Sequence, residues 1–362
     1  MKRIKILYTI PNFDTAGSGK VLYDLAKGLD KDQFEVHIAC SHNKGAFFQE
    51  IEKLGLPIHF IQTTCKPKPY WNILNRIKPY KKFIKQHKFD VVHSWHWSSD
   101  WTEVLGAKLG GAKFIYTKKA MTWGNIHWKI RSYLSDFIIT INEEMRDYFP
   151  SKKQQQLIPL GLDTNYYSPE NFPENKQSEK FKIITVANLV PVKGIEILID
   201  AIVLLNNSVI ELTILGDDRS EYAERLKQKV NQLKLQNQIL FLGKHTDVRP
   251  FLAESNLYII PTLNEGRKEG MPMALVEAMS MGIPVLGSNI SGVNFVLKDF
   301  KNLLFEASNS SQLAEKIMEI KNLSEHERND LGNKLRQYCI EHFSYSSFIK
   351  KHEDLYVALV EK

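Results

Sequence analysis

The sequence predicts an α/β protein built as two doubly wound domains, each a parallel sheet with helices on both faces, and three observations carry that expectation. Short runs rich in β-branched residues alternate with amphipathic helical stretches along the whole chain. These runs fall into two series, separated at residues 166–180 by a stretch rich in Pro, Asn, Glu and Ser that reads as a linker. Finally, 362 residues exceed one ordinary domain, and 43% hydrophobic with 25% charged residues is globular composition.

Taken in order, the first strand is expected at residues 4–9, because Lys2-Arg-Ile-Lys-Ile-Leu-Tyr-Thr-Ile10 has an apolar run too short for a signal peptide and no small-residue cleavage site. Residues 36–39, 91–94, 114–117 and 137–141 continue the first series. The second comprises residues 182–186, 211–215, 239–242, 257–260 and 285–286. Expected domains are 1–165, 166–342 and a last helix, 343–362. Ligands of such sheets bind at the carboxyl ends of the strands, so a cleft between the two domains is the expected site. No run of eighteen apolar residues spans a membrane. Cys40, Cys65 and Cys339 are odd in number and lack C-x-x-C spacing, which supports neither a disulfide framework nor a zinc site and suits a reducing, cytoplasmic setting.

The chemistry concentrates between Pro261 and Pro284. Pro272 suits a first helical position and Met273-Ala-Leu-Val-Glu-Ala-Met279 is rich in helix formers, so a helix is expected from about Pro272. Glu269 then lies in the preceding loop and Glu277 on the second turn. Backbone N–H groups near Gly270, Met271, Pro272 and Met273, at the positive end of the helix dipole, suit a diphosphate, and Gly270 permits close approach. Two carboxylates flanking an anion site suit a ligand with an anionic middle and two hydroxylated ends. Asn264-Glu265-Gly266 imitates the motif but lacks the spacing to Glu277. On composition alone, Glu269 could be a loop charge and Glu277 a solvated helix residue. The following Gly282 stop and the strand at 285–286 make this a strand, loop, helix, strand unit instead.

Glu269-Gly270-Met271-Pro272 through Glu277-Ala278-Met279 resembles the E-G-x-P-x-x-x-x-E-A-M signature of the GT-B retaining glycosyltransferases of family 4. The resemblance extends over nearly the whole chain: Asp90-Val-Val-His93, Ile158-Pro-Leu-Gly-Leu-Asp163, Leu215-Gly216-Asp217-Asp218 and Phe343-Ser344-Tyr345 are similar to family segments, the last opening a helix that returns to the first domain. It implies that Glu269 grips sugar hydroxyls and Glu277 ribose hydroxyls of a nucleoside diphosphate sugar. Ala187-Asn-Leu-Val-Pro-Val-Lys193-Gly194 looks like G-R-L-x-x-x-K-G, which assigns Lys193 to the leaving diphosphate. Asn188 stands where the family has Arg, and Arg267 or Lys268 is expected to supply the lost charge.

Thr15-Ala-Gly17-Ser18-Gly19-Lys20 is neither a phosphate-binding Walker loop nor a dinucleotide fingerprint, since the required flanking residues are absent. By resemblance it is a flexible loop bringing Gly17 to the donor or acceptor; an ordinary tight turn is the alternative. Where the family often has a His after the fifth strand, this chain has Lys119, an anion holder or a solvated residue. His93, His96 and His127 are structural residues or candidates for chemistry, and His96, in Ser94-Trp95-His96-Trp97 at a strand end, is the better placed. Trp123, Asn125 and Trp128 are acceptor contacts or packing residues.

Residues 1–178 carry 26 Lys and Arg against 17 Asp and Glu, whereas the chain as a whole is +7. The excess is sharpest at residues 66–88, with Lys66, Lys68, Arg76, Lys78, Lys81, Lys82, Lys85 and Lys88, no acid, and Tyr70, Trp71, Tyr80 and Phe83 interspersed. That suits an anionic membrane surface near a lipid-linked acceptor, or a solubilising helix face; no nucleic-acid module accompanies it. The resemblance implies transfer with retention, assisted by the leaving phosphate, with domain closure and without a cofactor or metal; Asp30-Lys-Asp32 reads as a turn. Two rivals are an epimerase acting on the donor alone and a catalytically idle nucleotide-sugar or glycan binder.

Overall fold

A computed structural model describes residues 2–14, 16–45, 47–119, 121, 124–173, 179–266 and 269–361. Trp123, Arg267 and Lys268 lie outside them. The chain divides into two compact units, Met1–Gly161 with Ser346–Lys362, and Leu162–Tyr345.

In the first unit seven strands, β1 (Ile4–Thr9), β2 (Phe34–Cys40), β3 (Ile58–Phe60), β4 (Val91–Ser94), β5 (Lys113–Lys118), β6 (Phe137–Thr140) and β7 (Gln155–Leu157), form an all-parallel sheet in the order β3-β2-β1-β4-β5-β6-β7. The inner strands are covered on both faces, which is why they read as continuous apolar runs. Leu7, Val92, Phe114 and Ile138 pack with Tyr80, Ile84 and Val104 from the flanking helices Ile73–His87 and Thr102–Leu109. The last helix, Tyr345–Val360, belongs to this unit from Ser346 onward. The Tyr356 hydroxyl lies 3.1 Å from that of Tyr8 and 2.7 Å from His93 Nδ1.

The second unit contains β8 (Phe181–Val186), β9 (Ile210–Leu215), β10 (Ile239–Gly243), β11 (Leu257–Ile260), β12 (Val285–Ser288) and β13 (Leu304–Phe305), parallel and ordered β10-β9-β8-β11-β12-β13. Strand order reverses at the neighbours β8 and β11, so the loops leaving their carboxyl ends lie side by side. This is the switch point where open α/β sheets bind ligands.

The three strands absent from the expectation, β3, β7 and β13, are two or three residues long and lie at sheet edges. An edge strand is defined by a ladder on one side, which short sequence periodicity does not encode. Nor is the expected linker a free tether in its first part. Arg336 donates to the carbonyls of Thr164 and Tyr167 at 3.2 and 3.1 Å and to Ser168 Oγ at 2.9 Å, and the Arg249 guanidinium stacks 3.4 Å from the Tyr166 ring centroid.

Candidate functional site

The second unit holds the signature residues. Val186 ends β8, and a turn of 3-10 helix, Pro191–Lys193, carries the chain to Gly194, whose φ of +63° starts the helix Ile195–Leu205. A Cβ on Gly194 would lie 2.2 Å from the Pro261 carbonyl oxygen, so only glycine lets this turn meet the loop after β11. Leu263 N–H donates to the Val192 carbonyl at 2.8 Å and locks the two loops together. The consequence is an ion pair between Lys193 and Glu269, residues far apart in sequence.

Pro272 is the N-cap, with φ −79° and ψ 100°, and the helix runs Met273–Ser280, one residue later than expected. Its carbonyl still accepts the first helical bond, from Leu275 N–H at 3.1 Å. Gly270 and Met271 are buried, and each is already engaged within the chain. Gly292, in the first turn of the helix Ser291–Val296, abuts the Glu269 backbone so closely that a Cβ there would fall 2.4 Å from the Glu269 carbonyl oxygen.

Lys193, Glu269, Thr262, Pro272 and Met273 line a cavity of about 50 Å³ together with the ends of β8 and β11. Glu269 Oε2, Thr262 Oγ1 and the Tyr258 hydroxyl are buried without hydrogen-bond partners among the described residues. Unpaired buried polar atoms are costly, and a ligand hydroxyl would satisfy them. Glu277 is half-buried and accepts from the Tyr167 hydroxyl; burial first, and then this carboxylate, push the Tyr167 pKa well above its ordinary range. Tyr167 and Gly292 were missed because only folding brings their segments to the motif; Tyr258 and Thr262, on β11 and just after it, read in the sequence as plain strand and loop residues. Asn188 is exposed immediately after β8.

In the first unit Gly17 lies not in a loop but in the first turn of the helix Ala16–Gly28. The following Lys-Val-Leu-Tyr-Asp-Leu-Ala-Lys is strongly helical, and Gly19 is tucked within 3.1 Å of the Phe13 and Phe47 rings, measured from a built Cβ. Lys119 Nζ donates to Ser18 Oγ at 2.9 Å and to the Trp95 carbonyl, above the Trp95 and Trp97 rings at 5.4 and 5.6 Å.

His96 is only 9% exposed, with Nε2 3.1 Å from Thr63 Oγ1 and 3.6 Å from Glu103 Oε1. Burial holds its pKa below the usual value. Glu103 also receives Arg131 Nη2 at 2.9 Å, Ser94 Oγ at 2.7 Å and the Thr9 hydroxyl. Burial opposes its ionisation, but these partners outweigh it and the carboxyl lies below its ordinary range. His93 is fully buried between Tyr356 and Thr117, and His127 accepts from Trp101 Nε1 at 3.0 Å. Asn125 caps the helix Ile126–Leu134 by accepting from Trp128 N–H, and Trp128 packs in the core. Lys118, beside Arg131 and 3.9 Å from the Trp128 ring centroid, is buried, and desolvation lowers its pKa to about 7.

Two parallel Rossmann-like sheets, with an acidic pair and a lysine gathered at the switch point of the second, define a protein of GT-B glycosyltransferase architecture. Residues 168–338 match the model of glycosyl transferases group 1 and residues 15–166 that of glycosyltransferase family 4, so the chain belongs to this family of glycosyltransferases. It is 23% identical to the UDP-Gal:alpha-D-GlcNAc-diphosphoundecaprenol alpha-1,3-galactosyltransferase of Escherichia coli, over 92% of this chain and 91% of that one. It is 25% identical to the capsular polysaccharide biosynthesis glycosyltransferase CapH of Staphylococcus aureus, over 84% and 86%. Among solved structures, a Rickettsia africae glycosyltransferase superposes with TM-score 0.88 at 20% identity over the full length of both chains. Anabaena HepE in complex with UDP and glucose superposes with TM-score 0.78 at 18% identity, covering 98% and 99%.

Proposed function

We propose that this enzyme transfers a sugar from a nucleoside diphosphate sugar, a UDP-sugar first among them, to a hydroxyl of a glycan or lipid-linked glycan, with retention and in cell-surface polysaccharide synthesis. The observation that carries the reading is the Lys193–Glu269 pair in a cavity whose Glu269 Oε2 and Thr262 Oγ1 have no partner among the described residues. Departure of the diphosphate leaves an oxocarbenium-like sugar, and the main electrostatic task is to stabilise charge on the leaving group. Lys193 would turn from Glu269 to the phosphate oxygens as the donor enters. Glu269 then accepts sugar hydroxyls, and Glu277, oriented by Tyr167, accepts those of the ribose. The leaving phosphate takes the acceptor's proton on the same face, so no protein nucleophile and no metal is invoked. Arg267 or Lys268 is the proposed substitute for the Arg replaced by Asn188. A relative whose name includes a UDP-sugar and a diphosphoundecaprenol acceptor supports both substrate classes.

The helix Ile73–His87 supports a peripheral location on the cytoplasmic membrane face. Lys78, Lys81, Lys82 and Lys85 are exposed, and Tyr70, Trp71 and Leu74 present 51%, 85% and 63% of their surface. Tyr80 and Phe83 are not part of that surface, because they pack on the sheet. No helix among the described residues is long and apolar enough to cross a membrane. Sedimentation with anionic vesicles at low salt, lost in Trp71→Ala, is the expected result; absence of sedimentation removes the membrane part of the reading.

A thermal-shift panel of UDP, GDP, ADP, CMP and their sugars against wild type and Glu277→Ala tests the whole. One nucleoside diphosphate is expected to stabilise the wild type and not the variant. No shift with any of them favours an idle binder, and conversion of the donor without an acceptor favours an epimerase.

A further inference from the structure

Three histidines far apart in sequence converge in the first unit. His37 lies on β2, His59 on the edge strand β3, and His87 is the last residue of the helix Ile73–His87. Parallel pairing of β2 with β3 sets Ala39 opposite His59, and the His37 and His59 rings stack with centroids 5.2 Å apart and planes 3° apart. The His87 ring stands 4.8 Å from that of His59 at 68°. One ring nitrogen from each lies within 4.8 Å of the others, with His37 Nδ1 and His59 Nε2 at 2.9 Å.

We propose that His37, His59 and His87 form a binding site for a first-row divalent cation, zinc first among them, with a fourth position open to water. Zinc–nitrogen bonds of about 2.0–2.1 Å in a tetrahedron require nitrogens roughly 3.3 Å apart, a separation bracketed by the 2.9 and 4.8 Å found here. His37 Nε2 lies 2.9 Å from Glu35 Oε1, which fixes its proton there and leaves Nδ1 as the lone-pair donor. That carboxylate–histidine–metal arrangement is the usual second layer of a zinc site. His59 would pass its Nε2 proton to Nδ1 through solvent, so the site binds the cation without net proton release. Phe83 and Phe89 wall the cluster at ring distances of 5.0 and 5.5 Å from His59 and His87 respectively. Lys5, 3.0 Å from Glu35, opposes a cation, and the Glu35 carboxylate offsets it. Three-histidine ligation with little oxygen selects zinc, cobalt, nickel or copper over magnesium and calcium. A bound ion would tie the short β3 strand to the end of the helix that bears the basic surface.

The test is titration of untagged, chelator-stripped full-length protein with Zn²⁺ and Co²⁺, by calorimetry and visible absorption. Stoichiometric binding is expected, with the intense Co²⁺ bands of a four-coordinate site. His59→Gln and His87→Gln should each weaken binding at least tenfold, Glu35→Gln about tenfold, and the exposed control His326→Gln should change nothing. Wild type that binds no ion, variants that bind as tightly as wild type, or only weak six-coordinate Co²⁺ spectra would overturn the proposal. Should a variant fail to fold, Zn²⁺ protection of His59 and His87 from acylation in the wild type decides the question, since unchanged labelling refutes the site.

Discussion

Gly292→Ala is the sharpest perturbation of the proposed donor site, because it leaves every proposed ligand-contacting side chain in place. A Cβ at this position would lie 2.4 Å from the Glu269 carbonyl oxygen and 3.1 Å from the carbonyl carbons of Glu269 and Gly270, where ordinary contact begins near 3.4 Å. The helix Ser291–Val296 is held by the buried Val293 and Val296 and does not yield easily. The Glu269 backbone must therefore retreat by about 1 Å, a misplacement that typically lowers turnover on the order of 10²-fold. Overpacking should lower stability by only about 1–3 kcal/mol. The assay compares single-turnover transfer, and affinity for the sugar nucleotide against the bare nucleotide, using the donor found in the thermal-shift panel. Transfer should fall and the extra affinity contributed by the sugar should disappear, while nucleotide affinity persists. A folded variant with turnover within about threefold of wild type would refute the idea that this contact positions Glu269.

Tyr167→Phe removes the hydroxyl that orients Glu277; a hydrogen bond to a charged group is worth about 1.5–3 kcal/mol, so calorimetry should show nucleotide affinity weakened by roughly tenfold or more. Arg131→Met strands the fully buried Glu103 carboxylate and should lower unfolding stability of the first unit by about 3–5 kcal/mol, read from urea midpoints; a loss below about 1 kcal/mol would show that Glu103 does not depend on this partner. For Lys118, the folded pKa of about 7 lies below the unfolded value, so between pH 7 and about 9 the unfolded chain binds the extra proton and stability rises with pH. Lys118→Met should remove up to about 1.4 kcal/mol per pH unit of that slope and gain stability at pH 6; an unchanged slope would show that Lys118 is not the titrating group.

Much of the architecture was written locally. Ten of the strands announced themselves as apolar runs because both faces of a parallel sheet are covered, and the Glu269 to Glu277 stretch announced its strand, loop, helix, strand unit. Local pattern failed where the partner was remote. Glycines 17 and 19 looked like a loop, yet the helical residues after them pulled the first turn back over both. Tyr80 and Phe83 looked like part of an aromatic, basic surface, yet helical spacing turned them toward the sheet.

Order along the chain, the alternation of strand and helix, the acidic pair and the lysine after β8 are properties of short stretches of sequence, set by periodicity and side-chain chemistry. The pairing of Lys193 with Glu269, the grip of Tyr167 on Glu277, the packing of Gly292 against the motif and the gathering of His37, His59 and His87 arise only in the folded chain, where β8, β11 and β12, or β2 and β3, are neighbours. Such contacts join residues tens of positions apart, and the parallel crossovers of the sheet decide which of them meet.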